Sequence, residues 1–199
     1  MTTSSEIFPM TVRADHVCGP GQGGWTYQDY AAIPEDGKRY EIIDGVLYMA
    51  AAPNIAHQAA AMRFTMYLGI HVELAGLGQV FPAPCDVELP MGDTVQPDIT
   101  VVLNANLGIV TPGRIRGTPD LVIEILSPGT AGRDRRTKQD AYARAGVPEY
   151  WLADPYAQTI EPLTLEGGEY RSLGVFTGAA TLPSLLVPDL PVRVDHFFA

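Results

Sequence analysis

Three acidic residues interrupt apolar runs that read as buried strands: Glu41 in Tyr40-Glu41-Ile42-Ile43, Asp98 in Gln96-Pro97-Asp98-Ile99, and Glu124 in Leu121-Val122-Ile123-Glu124-Ile125-Leu126. An isolated carboxylate taken out of water costs far more than a fold can spare, so each must be neutralised, paired or bound to a cation. In the third run both strand faces are apolar, because residues 121, 123 and 125 point one way and 122, 124 and 126 the other. Glu124 is therefore enclosed whichever face turns inward. Asp98 follows Pro97 and opens Ile99-Thr100-Val101-Val102-Leu103, which places it at the end of a neighbouring strand. Three such acids in one small chain point to a divalent metal.

At 199 residues and 46% apolar content, the chain is long enough for one well-buried core and too short to require two. The expectation is a flexible arm over residues 1–24, rich in glycine from Cys18 to Gly24, followed by a single domain over 25–199. A net charge of −10 argues against nonspecific, charge-driven attachment to nucleic acid or anionic membrane, but not against a local basic patch. Two cysteines, Cys18 and Cys85, make no disulfide framework. No apolar run reaches the roughly 18 residues of a membrane span, and the N-terminus lacks a signal peptide's basic start. The expected location is the cytoplasm.

Asp44-Gly45 lies between two β-prone runs, 40–43 and 46–49, and marks a tight hairpin. Thr26 is an N-cap for a short helix over 27–33 that stops before Pro34. Ile55, Ala59, Met62, Met66 and Ile70 recur at helical spacing, so 55–74 is an amphipathic helix whose apolar stripe should cover one face of a sheet. Residues 80–89 read as a strand broken by Pro82 and Pro84. Strands over 98–103, 121–126 and 150–153 follow, the last two flanking a helix over 134–145 with Gly146 as its stop. Strand, helix and strand in that order imply a right-handed parallel crossover. Residues 159–165 and 170–175 suggest an antiparallel extension.

Oxygen ligands on adjacent strands suit a hard cation, Mg²⁺ or Mn²⁺, with Asp98 and Glu124 as the metal ligands. Glu41 is then a third ligand or holds a metal-bound water. Lys138, early in the crossover helix, is the candidate cation for stabilising charge on a phosphoryl oxygen. Arg133, Arg135 and Arg136 beside it, with Arg114 and Arg116, form the evident basic region that could receive a polyanion, and Arg133, Arg135, Arg136 and His57 are the candidate substrate contacts. His57 lies off the apolar stripe of its helix, which favours a supporting role over metal ligation. Bland readings stay open: a turn for Asp98, a core ion pair for Glu124, a pair with Lys38 or Arg39 for Glu41, and a solvated helix start for Lys138. Asp120 reads as structural, and Trp151 and Tyr142 as core.

The order Tyr40-Glu41-Ile42-Ile43-Asp44-Gly45, Pro53 and His57, Gln96-Pro97-Asp98, Val122-Ile123-Glu124-Ile125-Leu126-Ser127-Pro128, then Lys138, Tyr142 and Gly146-Val147-Pro148-Glu149-Tyr150-Trp151-Leu152 resembles the Uma family of restriction endonucleases, within the PD-(D/E)XK nuclease superfamily. The resemblance implies an α/β (α+β mixed) restriction-endonuclease-like core, a central mixed β-sheet flanked by helices. It implies a magnesium-dependent endonuclease, a hydrolase acting on DNA phosphodiester bonds, with Asp98, Glu124, Lys138 and Glu41 as catalytic residues. The superfamily's lysine two places after the second acid is replaced by Leu126, and Lys138 matches a lysine displaced onto the following helix. Other readings are a non-catalytic module that keeps the fold, and a metal-dependent hydrolase of a smaller phosphate ester. DNA is the expected partner and a C₂ homodimer the expected assembly.

Overall fold

The computed structural model describes residues 11–127, 132, 134–188 and 190–198. Its strands form two sheets. The first has six strands in the order β1-β3-β2-β6-β5-β8: β1 (Val12–Arg13), β2 (Tyr40–Ile43), β3 (Val46–Met49), β5 (Val87–Glu88), β6 (Thr94–Val95) and β8 (Ile115–Arg116). The second runs β12-β11-β10-β9-β7-β4, built from β4 (Gly78–Pro82), β7 (Ile99–Leu103), β9 (Leu121–Ile125), β10 (Glu149–Asp154), β11 (Thr159–Glu166) and β12 (Glu169–Ser172), with β13 (Phe176–Thr177) added to β11. The run over 80–89 is thus two strands in two sheets, because Pro82 and Pro84 cannot donate to a continuous ladder.

Strands β9 and β10 pair in parallel, with Glu124 opposite Leu152. The crossover between them ends in helix α3 (Gln139–Ala145), capped by Gly146 at φ 78°. Strands β11 and β12 form the antiparallel extension. Alternation along β9 divides the core. Leu121, Ile123 and Ile125 join one cluster under helix α2 (Ile55–Leu68), while Val122 and Leu126 join another with Ala141, Tyr142 and Ala145 of α3.

Helix α2 buries a different stripe from the expected one. Ala60, Phe64 and Leu68 face the sheet, continued by Val72 in a π-helical turn (Gly69–Glu73), whereas Ile55, Met62, Met66 and Ile70 face outward. Both sets have helical spacing. The buried set wins through its aromatic member: Phe64 stacks on Phe197 with ring centroids 4.3 Å apart, and burying a Phe or Leu side chain contributes about 1.5–3 kcal/mol.

The short first helix, α1 (Tyr27–Ala31), starts in a capping box between Thr26 and Asp29. The glycine-rich stretch before it is more engaged than the expected arm. Strand β1 pairs with β3, Ala14 N–H donates to the Leu47 carbonyl at 2.9 Å, and Trp25 is buried against Gly19. Sequence composition misses this because the partners are backbone groups of the hairpin. Residues 1–10 lie outside the described residues.

That hairpin turns at Asp44 (φ 52°) and Gly45 (φ 68°), the two positive values of a type I′ turn. A Cβ on Gly45 would come within 2.5 Å of the Gly23 carbonyl oxygen, while Gly45's own carbonyl accepts from Gly23 and Trp25. Gly45→Ala is therefore expected to cost ~2 kcal/mol or more, read as a lowered urea midpoint. An unchanged midpoint would remove the close approach as a constraint.

Glu149, 1% exposed, anchors the C-terminal segment. Its carboxylate accepts from the Trp151 indole at 2.6 Å and from the backbone of Leu185 and Leu186. Burial nevertheless raises its pKa. A carboxyl whose folded pKa is raised contributes stability below its ordinary range and loses it as pH rises through the folded value. Wild type should therefore gain on Glu149→Gln as pH falls from 7 toward 5, in paired urea titrations. A constant difference between the two proteins contradicts this.

Candidate active site

Strand register sets the two central acids face to face. β7 and β9 pair antiparallel with Ile99 opposite Ile123, and one further step along that register sets Asp98 across from Glu124, on the same face. Both are buried. Asp98 Oδ2 accepts from the Ile125 N–H at 2.7 Å and lies 3.0 Å from His57 Nε2. His57 belongs to the first turn of α2, where Asn54 caps its N–H at 3.0 Å. The His57 Nδ1 atom is buried without a hydrogen-bond partner.

Glu41 arrives from the other sheet. It is the second residue of β2, and its Oε1 accepts the Gln96 N–H at 3.0 Å, two residues before Asp98. Lys138 joins the sheets: its Nζ is 2.8 Å from Glu41 Oε1 and 2.9 Å from Glu124 Oε1. It stands at the end of a π-helical turn (Asp134–Lys138) that leads into α3. Leu126, two places after Glu124, is buried apolar core, and the ammonium that reaches Glu124 comes from the helix. A solvated start to that helix does not describe Lys138, which is 5% exposed.

Tyr142, expected as plain core, is one turn further along and donates its hydroxyl to Glu124 Oε1 at 2.6 Å. Burial, with the Glu124 carboxylate next in importance, holds its pKa well above the usual phenol value, so it remains a donor. Its aromatic bulk masked that role, though its position four residues after Lys138 puts both on one helix face. Arg39, one of the two expected partners for Glu41, donates to the Ala51 carbonyl, and Lys38, the other, pairs with Asp36.

Glu41, His57, Asp98, Glu124 and Lys138 all line one cavity of about 50 Å³, room for an ion and a water or two. Through Arg39 it adjoins two larger hollows, of about 620 and 400 Å³. Among the described residues, no group of three or more His, Cys, Asp and Glu side chains is arranged to hold a metal. Two facing carboxylates still suit Mg²⁺, which takes one or two from a protein and completes its shell with water and substrate oxygens.

The expected basic region is split. Arg135 and Arg136 are exposed at the turn that carries Lys138, with Arg135 2.6 Å from Glu161. Arg133 lies outside the described residues. Arg114 and Arg116 share Glu88 and line another cavity, where the Arg114 guanidinium sits 3.9 Å over the Tyr27 ring. Asp120 is structural, accepting from Leu103 N–H and Asn106. No helix among the described residues is long and apolar enough to cross a membrane.

The fold is similar to the crystal structure of a putative nuclease belonging to DUF820 from Anabaena variabilis, with a TM-score of 0.74 at 21% identity over 87% of this chain and 97% of that one. No curated protein matches. The sequence profile of Uma2, described as "Putative restriction endonuclease", matches residues 27–195. With that match covering most of its length, the chain belongs to the Uma2 family.

Proposed function

We propose that the chain is an endonuclease that hydrolyses DNA phosphodiester bonds with an activated water, using Mg²⁺ or Mn²⁺ held by Asp98 and Glu124, with residues 25–199 as one catalytic domain in the cytoplasm. The charge balance of the cavity carries this reading. Three buried carboxylates face one ammonium and one imidazole, and the surplus of negative oxygen in a confined space favours a hard cation. When bound, such an ion supplies Lewis acidity and lowers the pKa of its water.

The chain's own residues do the rest. His57 and the Ile125 N–H both bond Oδ2 of Asp98, fixing the carboxylate and leaving Oδ1 as its other donor atom. Lys138 sits between Glu41 and Glu124, where its ammonium orients the attacking water and stabilises charge developing on a phosphoryl oxygen. Arg39, shared by the acid cavity and both adjoining hollows, marks the track of an extended polyanion. Arg135 and Arg136 lie beside it in sequence with Lys138.

One observation favours a non-catalytic module. Lys138 already bridges Glu41 and Glu124, which alone would make a structural ion network. Supercoiled plasmid incubated with the protein and Mg²⁺ or Mn²⁺ should be nicked, and EDTA should stop it. A model phosphodiester run alongside identifies a preference for smaller esters. No cleavage of either substrate, with no heat of Mn²⁺ binding by calorimetry, would assign the network.

A further inference from the structure

The stripe of α2 that sequence spacing assigns to the core is left exposed by the described residues. Among the described residues, six of the eleven exposed large apolar side chains fall between 55 and 77: Ile55, Met62, Met66, Ile70, Leu74 and Leu77. Ile55 is 89% exposed, Leu74 83% and Met62 67%. Their alignment depends on the π-helical turn. Leu74 N–H bonds the Gly69 carbonyl five residues back, at 2.9 Å, and in that wider turn each residue rotates less than in an α-helix. Steps of four drift by about 40° through the α-helical part, from 62 to 66, and the π-helical turn at 69–73 offsets that drift toward Leu74.

The stripe also reads the same from either end. A two-fold axis between residues 64 and 65 carries Ile55 onto Leu74 and Ala59 onto Ile70, and sets Met62 beside Met66. We propose that this face docks a second copy of the chain, α2 packing antiparallel on its symmetry mate. Self-complementarity of this kind is what an isologous interface demands and what an unrelated partner does not. Ala59 opposite Ile70 sets small against large, as ridges packed into grooves require.

Charge and area support the same occupant. Between 55 and 77 the formal charges are Arg63 and Glu73, which cancel, in a chain of net charge −10. Two copies therefore meet at this face with no net charge on either side to repel them. The six side chains expose on the order of 600 Å² per copy, against the ~800 Å² each partner buries in a standard interface. The 400 Å³ hollow beside the helix is lined by Met62 and Thr65 as well as His57 and Asp98, so the interface borders the acid cavity of each copy.

Sedimentation equilibrium of the full chain at micromolar concentration should give twice the chain mass, and Met66→Glu should weaken association ~100-fold or more without changing the cooperativity of thermal unfolding. In a Cys18→Ser background, Met62→Cys chains mixed with Met66→Cys chains should form disulfide-linked pairs, and Val175→Cys chains should not. That second readout decides the matter should Met66→Glu fail to fold. A wild-type monomer, whether residues 1–10 or another protein covers the stripe, overturns the proposal. So does an unchanged association constant for Met66→Glu, or equal cross-linking through position 175.

Discussion

Asp98→Asn and Glu124→Gln should each lower metal-dependent plasmid cleavage by ~10³-fold or more, because losing either of the two proposed metal ligands removes several kcal/mol of transition-state stabilisation and each 1.36 kcal/mol is tenfold in rate. The two substitutions should not add. Either one dismantles the same pair of facing donors, so the double variant should be no slower than the worse single one. Both should also abolish Mn²⁺ binding in calorimetry, a readout independent of turnover. The isosteric changes matter here: an amide oxygen in place of the Asp98 carboxylate would still accept from the Ile125 N–H, and one in place of the Glu124 carboxylate from the Tyr142 hydroxyl, so folding survives. Cleavage that persists in Asp98→Ala with Glu124→Ala removes this cavity from the chemistry altogether.

Lys138→Met should unfold the protein more than any other single change at the site. Glu41 and Glu124 are 2% and 3% exposed, and the substitution strips the ammonium that both share. Breaking a buried ion pair by deleting one partner costs about 3–5 kcal/mol, which in a chain of this size lowers Tm by ~10 °C. Neutralising the acids as well, in Lys138→Met with Glu41→Gln and Glu124→Gln, should recover most of the loss, since uncharged polar groups need no counter-ion. Differential scanning calorimetry of the single and triple variants tests both halves. A triple variant no more stable than the single would mean that lost packing of the lysine stem, and not stranded charge, is responsible.

How much of this was legible depends on whether the deciding contact is local. The β2–β3 hairpin is readable because Asp44-Gly45 supplies the two positive φ values by itself. The enclosure of Glu124 is readable because alternation along Leu121–Ile125 leaves no polar face, and burial of all five residues bears it out. The outward turn of Met62 and Met66 is not, since Phe64 is drawn inward by Phe197, more than a hundred residues later. Tyr142 is missed for the same reason: its partner Glu124 is 18 residues away across a crossover. Lys138 became a candidate through the family pattern and its place on the helix, but its two carboxylate distances depend on how that helix packs.

The chain passes from one sheet to the other through Gln96 and Asp98, between β6 and β7, and at that crossing Gln96 ties down Glu41 while Asp98 ties down β9. The acids thus form a rivet through two layers. Anything clamped there resists the layers sliding apart, so an occupied cavity should slow amide exchange at Ile42 and Thr94 as well as at Ile125, and a force that shears the layers should disable the chemistry before it melts either one.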